Sequence, residues 1–292
     1  MGSAALDLEL FRTPNKVDPE FARVLFPFLE GLYQHYFRCD VSGFENLPPD
    51  PVLLVGNHNG LITFEVLMLF HAWWKHFGSS RPAFGLTHKL ALRHPLSSWL
   101  MPRIGAIPAD PDLAYDALSR GYSLLAYPGG LKESFRPYRE RKKVDFFQRK
   151  GFIRLALKAK VPIVPVASIG AHETYIILHR GEELAERLGL KEKLKLHGIP
   201  VTFRSLFFLW CVASGLFTFF PLLLAPAAFA SIFVPLPAKM SFRFLPAIDT
   251  AEVWNSHLSE DENIQAIYDR VVGSLQTALT NEYRNRLLPI VG

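Results

Sequence analysis

Cysteine is nearly absent from this chain, with Cys39 and Cys211 the only two in 292 residues. Two thiols so far apart build no disulfide framework and are too few for a metal site of clustered thiolates. A reducing compartment, on the cytoplasmic side, is therefore expected. Zinc-finger spacing, a recognition-helix motif and an RNA-binding aromatic block are also lacking. The net charge of +5 thus gives no reason to expect nucleic acid, and suits anionic lipid surfaces or small phosphorylated partners instead. Met1–Asp7 has no basic segment followed by an apolar one, and Leu6 stands where a myristoylation pattern needs Ser or Thr. Any membrane attachment is expected from within the fold. With no internal repeat and no low-complexity linker, residues 1–292 read as a single domain.

Charge disappears altogether from Ser205 to Ala238. That run exceeds the ~20 residues that cross a bilayer. Gly215, Pro221, Pro226 and Pro235 interrupt it, so a broken hairpin dipping into one leaflet fits better than a straight span; the plainer alternative is a buried core hairpin. A second apolar element lies at residues 18–38. Leu25, Phe28, Leu29, Leu32, Tyr33 and Tyr36 recur at helical spacing and make one apolar face, which could pack on the core or lie against a membrane.

What the chain does have is apolar bulk, 49% hydrophobic with 24 Phe, enough for one sizeable core. Strand candidates are 51–55, 82–87, 122–127 and 162–167. Helix candidates are 21–37, 64–77, 90–100, 113–120, 152–159, 182–188 and 264–285. Their alternation predicts an α/β fold with a mostly parallel central sheet flanked by helices.

The most informative stretch is Gly56-Asn57-His58-Asn59-Gly60-Leu61-Ile62-Thr63-Phe64-Glu65. It joins a strand candidate to a helix candidate, the kind of loop where active sites of open α/β folds gather. His58 and Glu65 read as a base and its orienting acid. On one continuous helix they would stand roughly 10 Å apart along the axis, so the chain must fold back between them, and Asn59-Gly60 permits it. Glu65 also has a plainer explanation: with Thr63 as N-cap it would complement the helix dipole. His71 and His76 are five apart, a poor spacing for joint ligation on a helix, and no metal is expected. His172 beside Glu173 reads as local structure.

Three ordered blocks, Asn57-His58 with its downstream acid, Tyr127-Pro128-Gly129-Gly130-Leu131-Lys132-Glu133-Ser134, and Val161-Pro162-Ile163-Val164-Pro165-Val166, resemble the glycerolipid (PlsC-type) acyltransferase superfamily. The Pro-Gly-Gly block is similar to that of the monoacylglycerol and diacylglycerol acyltransferase-like branch. The resemblance runs from about Phe37 to Pro246. It implies a fatty acyl group moving from acyl-coenzyme A or acyl carrier protein to a hydroxyl of a lipid acceptor at a bilayer, with no cofactor. It implies His58 and Glu65 as catalytic, with Asn57, Gly129, Gly130, Lys132, Glu133, Arg103 and Lys89 binding substrate. Backbone donors of the glycine turn could stabilise the oxyanion.

The chain departs from the superfamily pattern at three places. The acid usually follows His by five positions, where this chain has Thr63, so Glu65 takes that part. Phosphate-reading members carry an arginine where this chain has Ala109, which leaves Arg103 or Lys89 to substitute from the side. A fixed bidentate cation is the natural reader of a phosphomonoester, so a neutral glyceride or long-chain alcohol is expected as acceptor. Those members also have an acid where this chain has Gly129. The basic run from Arg136 to Lys143 reads as a solvated loop or as a grip on coenzyme A phosphates. Alternatives are a lysophospholipid or 1-acylglycerol-3-phosphate acyltransferase, a thioester hydrolase, and a non-catalytic membrane lipid-binding protein that retains the fold.

Overall fold

The computed structural model describes residues 19–49, 51–58, 63–92, 95–194, 198–214, 221–286, 288 and 290–291. The Asn59-Gly60 turn and the 215–220 part of the uncharged run lie outside them. Among the described residues, seven strands form the main sheet: β1 (Asp40–Ser42), β2 (Leu53–Gly56), β3 (Ala83–Thr87), β4 (Ala106–Pro108), β5 (Ser123–Ala126), β6 (Ile163–Ile169) and, late in the chain, Ser241–Phe244. The spatial order is β1, Ser241–Phe244, β6, β2, β5, β3, β4. The last five run parallel, and Ser241–Phe244 pairs antiparallel with β6 while β1 runs parallel to it. The mostly parallel α/β sheet expected from sequence is present, with a reversed two-strand edge. Strands Ile177–His179 and Val201–Thr202 make a separate ribbon.

The central strands are apolar at successive positions because both faces of the sheet are covered. Leu53 and Val55 face a core shared with the helices Pro111–Ser119, Gly151–Ala159 and Glu260–Asn285. Leu54 faces the other core, built with α1 (Pro19–Gly31) and α2 (Phe64–Phe77). Local chemistry fixes several ends. The Asp110 carboxylate accepts from the backbone of Asp112 and Leu113 ahead of Pro111, and Ser259 with Glu262 forms a capping box at the start of Glu260–Asn285.

Two helix expectations need correction. The segment 21–37 is not one α-helix: α1 ends at Gly31 and a π-helical turn, Leu32–Tyr36, follows. The segment 90–100 divides into a 3-10 turn, Lys89–Leu92, and a helix, Pro95–Arg103, that opens on a proline suited to a first helical position. Two helices, Phe203–Ala213, which enters the uncharged run after Arg204, and Pro221–Ser231 within it, are joined by the edge-to-face Phe208 and Phe229 rings at 5.6 Å. Among the described residues, no helix is long and apolar enough to cross a membrane.

Candidate active site

The five parallel strands bring their carboxyl ends to one edge. There β2 delivers Asn57 and His58, β5 the Pro128-Gly129-Gly130 turn, and β6 the short helix Ala171–Thr174. Gly56 ends β2 with no side chain because a Cβ there would stand 2.7 Å from the Tyr127 ring. The Tyr127 ring instead stacks on the His58 imidazole, with centroids 4.6 Å apart. Asn57 fastens the loop to β6 by a reciprocal pair: its amide nitrogen donates to the Ser168 carbonyl and its oxygen accepts from the Ser168 N–H, both at 2.8 Å. Asn57, expected from sequence to bind substrate, therefore holds the loop and is buried at 2% exposure.

His58 and Glu65 meet as the sequence suggested. The His58 Nδ1 lies 2.7 Å from Glu65 Oε1. Thr63 occupies the N-cap position but its side chain caps nothing, and Glu65 on the first turn of α2 is 1% exposed. A carboxylate so buried is held for its partner, since a charge taken from water needs pairing. With Nδ1 engaged, the Nε2 nitrogen is the one left to act on a substrate.

Glu133 sits on the helix Gly130–Ser134 and is also 1% exposed. Its Oε2 accepts from the backbone N–H of His58 at 3.1 Å, and its Oε1 lies 3.6 Å from the Arg136 guanidinium. Burial pushes the Glu133 carboxyl up to about 7, against the opposing pull of Arg136. Arg136 is 2% exposed, so the expectation of a solvated or phosphate-gripping residue there is corrected: this end of the basic run is a buried countercharge. Arg139, Lys142 and Lys143 do face solvent.

The remaining expected site residues divide between the glycine turn and elements farther from His58. Lys132 lies over the Phe147 ring at 4.3 Å, beside the glycine turn. Gly130 adopts φ +53, and the exposed Arg149 donates to the carbonyls of Pro128 and Gly129, both at 3.1 Å. Lys89 follows β3, two strands from β2 and so about 10 Å along the sheet. Its ammonium is bound to Asp110 at 2.8 Å. Arg103 ends the helix Pro95–Arg103 ahead of β4, covers the Trp99 ring at 4.5 Å, and lines a shallow groove with Phe21, Leu25 and Trp74. Neither cation is brought to His58.

Sequence reasoning missed two partners. Ser168 contributes through its backbone, which leaves no residue-type signal, and Arg136 is hidden in a run of charges. His172 is buried, and burial, with Arg136 adding to it, pushes its imidazole down to about 3. So weak a base is not a second proton acceptor.

The acyltransferase family model matches residues 38–169, which hold the His58–Glu65 pair and the Pro-Gly-Gly turn. An uncharacterized protein of Mycobacterium tuberculosis is 28% identical over 265 residues, covering 90% of this chain and 66% of that protein. A Gallus gallus protein named DGAT1/2-independent enzyme synthesizing storage lipids is 26% identical, covering 57% of this chain and 50% of its own. The chloroplastic 1-acyl-sn-glycerol-3-phosphate acyltransferase BAT2 of Brassica napus is 26% identical, with coverage of 46% and 38%. Among solved structures, the 1-acyl-sn-glycerophosphate (LPA) acyltransferase PlsC of Thermotoga maritima aligns with a TM-score of 0.48 and 18% identity over 92% of this chain and 86% of that one. The chain thus spans just under two thirds of the mycobacterial relative and half or less of the other two curated relatives.

Proposed function

We propose that this protein, whose residues 38–169 carry an acyltransferase domain of the glycerolipid type, moves a fatty acyl group from a thioester donor to the hydroxyl of a neutral lipid at a bilayer surface. The donor is acyl-coenzyme A or acyl carrier protein, and the acceptor a glyceride or long-chain alcohol. The observation that carries the reading is the 2.7 Å contact between His58 Nδ1 and the buried Glu65.

Glu65 holds the imidazole as the Nδ1–H tautomer and stabilises its protonated form. The Nε2 nitrogen then takes the proton of the acceptor hydroxyl while that oxygen attacks the thioester carbonyl. As the C–S bond breaks, the imidazolium returns the proton to the departing thiolate. Direct transfer needs no covalent enzyme intermediate. A neutral acceptor is supported by the positions where the resemblance would put a phosphate reader: Ala109 offers no cation at the end of β4, Lys89 is bound to Asp110, and Arg103 lies on Trp99.

The bilayer enters through the paired helices of the uncharged run. Phe203, Leu206, Phe207, Leu209, Trp210 and Val212 are exposed on the first of them. A contiguous apolar surface of this kind marks a docking face, and placing each large side chain in lipid contributes roughly 1.5–3 kcal/mol. The pair is tied to the catalytic edge, since Leu236 N–H donates to the Thr174 carbonyl at 2.8 Å and the Tyr175 hydroxyl to the Phe233 carbonyl at 2.6 Å. Tyr36 donates to the Pro235 carbonyl at 2.6 Å, which adds the N-terminal helical segment to the same side.

The test is purified protein with labelled acyl-coenzyme A and a panel of neutral and phosphorylated acceptors, with His58→Ala as control. Neutral acceptors should be acylated, and His58→Ala should lose about 10²–10⁴-fold. Near-wild-type turnover in His58→Ala would sink the mechanism. Exclusive use of glycerol-3-phosphate or lysophosphatidate would replace the acceptor class, acceptor-independent release of fatty acid would make the protein a thioester hydrolase, and vesicle binding without turnover would make it a lipid-binding protein.

A further inference from the structure

We propose that Glu133 is a positioning residue for the base, acting through the backbone N–H of His58, and that position 129 is glycine because the Glu133 side chain fills the space above it. The inference rests on His58 being the base, as argued above. A Cβ built on Gly129 would stand 2.2 Å from Glu133 Oε2, 2.5 Å from its Cβ and 2.7 Å from its Cδ. A flexible tip could swing clear of such a contact, but a side-chain Cβ is fixed to its own backbone and cannot. Phosphate-reading members of the superfamily that this chain resembles carry an acid at 129 itself. Here the acid comes from four residues later, one turn along Gly130–Ser134, and its carboxylate is buried against the His58 peptide.

His58 is consequently gripped by three separate elements. Asn57 ties the preceding residue to β6, Glu65 holds the ring from α2, and Glu133 takes the main-chain N–H from the β5 side. A buried N–H deprived of its acceptor turns to find another. Rotation of the peptide between Asn57 and His58 would carry the imidazole with it, and a base displaced by a fraction of an ångström loses its line to the hydroxyl. Arg136 balances the charge of Glu133, so the carboxylate can serve a backbone donor inside the protein. Glu133, expected from sequence to bind substrate, is thereby reassigned.

The experiment compares Glu133→Ala, Glu133→Gln, Gly129→Ala and the double variant Gly129→Ala/Glu133→Gly by steady-state kinetics and by hydrogen exchange at the His58 amide, with melting curves to confirm folding. Glu133→Ala should lower kcat about 100-fold with KM for donor and acceptor little changed, and should speed exchange of the His58 amide about 10-fold or more. Glu133→Gln keeps an acceptor oxygen and should recover much of both, losing about 3–10-fold in kcat. Gly129→Ala should resemble Glu133→Ala because its methyl displaces the carboxylate. The double variant should be no slower than Glu133→Ala, since with the Cβ at 133 gone the methyl strikes nothing. A raised acceptor KM with intact kcat in Glu133→Ala would make Glu133 a substrate contact and overturn the proposal, as would full activity in Gly129→Ala. Unchanged His58 exchange in Gly129→Ala would also overturn it, even if Glu133→Ala fails to fold. The exchange measurement needs no turnover, so a wild-type protein that transfers nothing would defeat the function proposed above and still leave this inference decided by the amide.

Discussion

Glu65 shows how one residue's position can suggest two roles while its surroundings select one. On the first turn of α2 an acid complements the helix dipole by about 0.3–1 kcal/mol whatever it touches. The dipole asks for no particular partner, yet Glu65 is 1% exposed and bonded to His58. Glu65→Gln should therefore keep the fold, measured by circular dichroism, and lower kcat by about 10²–10⁴-fold, because an amide does not favour the imidazolium. His172 gives a prediction in pH. The folded protein holds its imidazole at about 3, against an ordinary value of 6.5, mainly through burial. Between those values the unfolded chain binds the proton that the folded one refuses, so stability falls as pH drops from 6.5 toward 3. Glu133, raised to about 7 by burial, works in the opposite direction between 4.5 and 7. The difference between variant and wild type isolates the histidine: urea midpoints of His172→Asn should fall less than those of wild type from about pH 6.5 to about pH 4. Parallel curves would remove His172 from the acid response.

At the scale of elements, long periodic segments are legible and short ones are not. The helix 64–77 has the same bounds in sequence and structure, because fourteen mostly apolar and aromatic residues run to Gly78, which takes φ +56 at the C-cap. The strands Asp40–Ser42, Ala106–Pro108 and Ser241–Phe244 give no such signal. Three or four residues are too few to show a period of two, and Ser241–Phe244 is a strand because β6 and β1 offer it hydrogen-bond partners on either side. The helix Phe203–Ala213 carries the prediction that belongs at this scale. Phe207 and Trp210 are both exposed, with their rings 5.9 Å apart, so charge placed there should act on lipid contact more than on the core. Phe207→Glu/Trp210→Glu should weaken flotation with anionic liposomes by about 10-fold or more while leaving the melting curve in place. Unchanged flotation would point to another docking face.

For the molecule as a whole, the two cores on either side of the sheet set the stability. Leu275 on the helix Glu260–Asn285 is fully buried against the core that includes Leu53 and Ile163. Leu275→Ala should cost about 2–5 kcal/mol, read from denaturant midpoints, because the cavity it leaves collapses only in part. The site lies at the strand ends and not in that core, so kcat measured well below the unfolding transition should hold. A comparable loss in kcat would mean that the helix also sets the geometry of the site.

Local pattern alone is enough for the α/β class and for singling out His58 and Glu65, because alternating apolar segments and ordered blocks are properties of neighbouring residues; the acyltransferase family model matches the same stretch, residues 38–169. The apolar run that the proposed function draws on is equally plain. Which charges are buried, and which cations reach the dyad, depends on segments distant in sequence and is settled only by folding. Arg136 looks like any member of a basic run until the chain folds it against Glu133, and Lys89 and Arg103 look available until Asp110 and Trp99 take them. Gly129 and Glu133 read as separate features of a turn. Their relation is a matter of occupied volume between residues four apart, and volume becomes defined only when backbone and side chains are packed together.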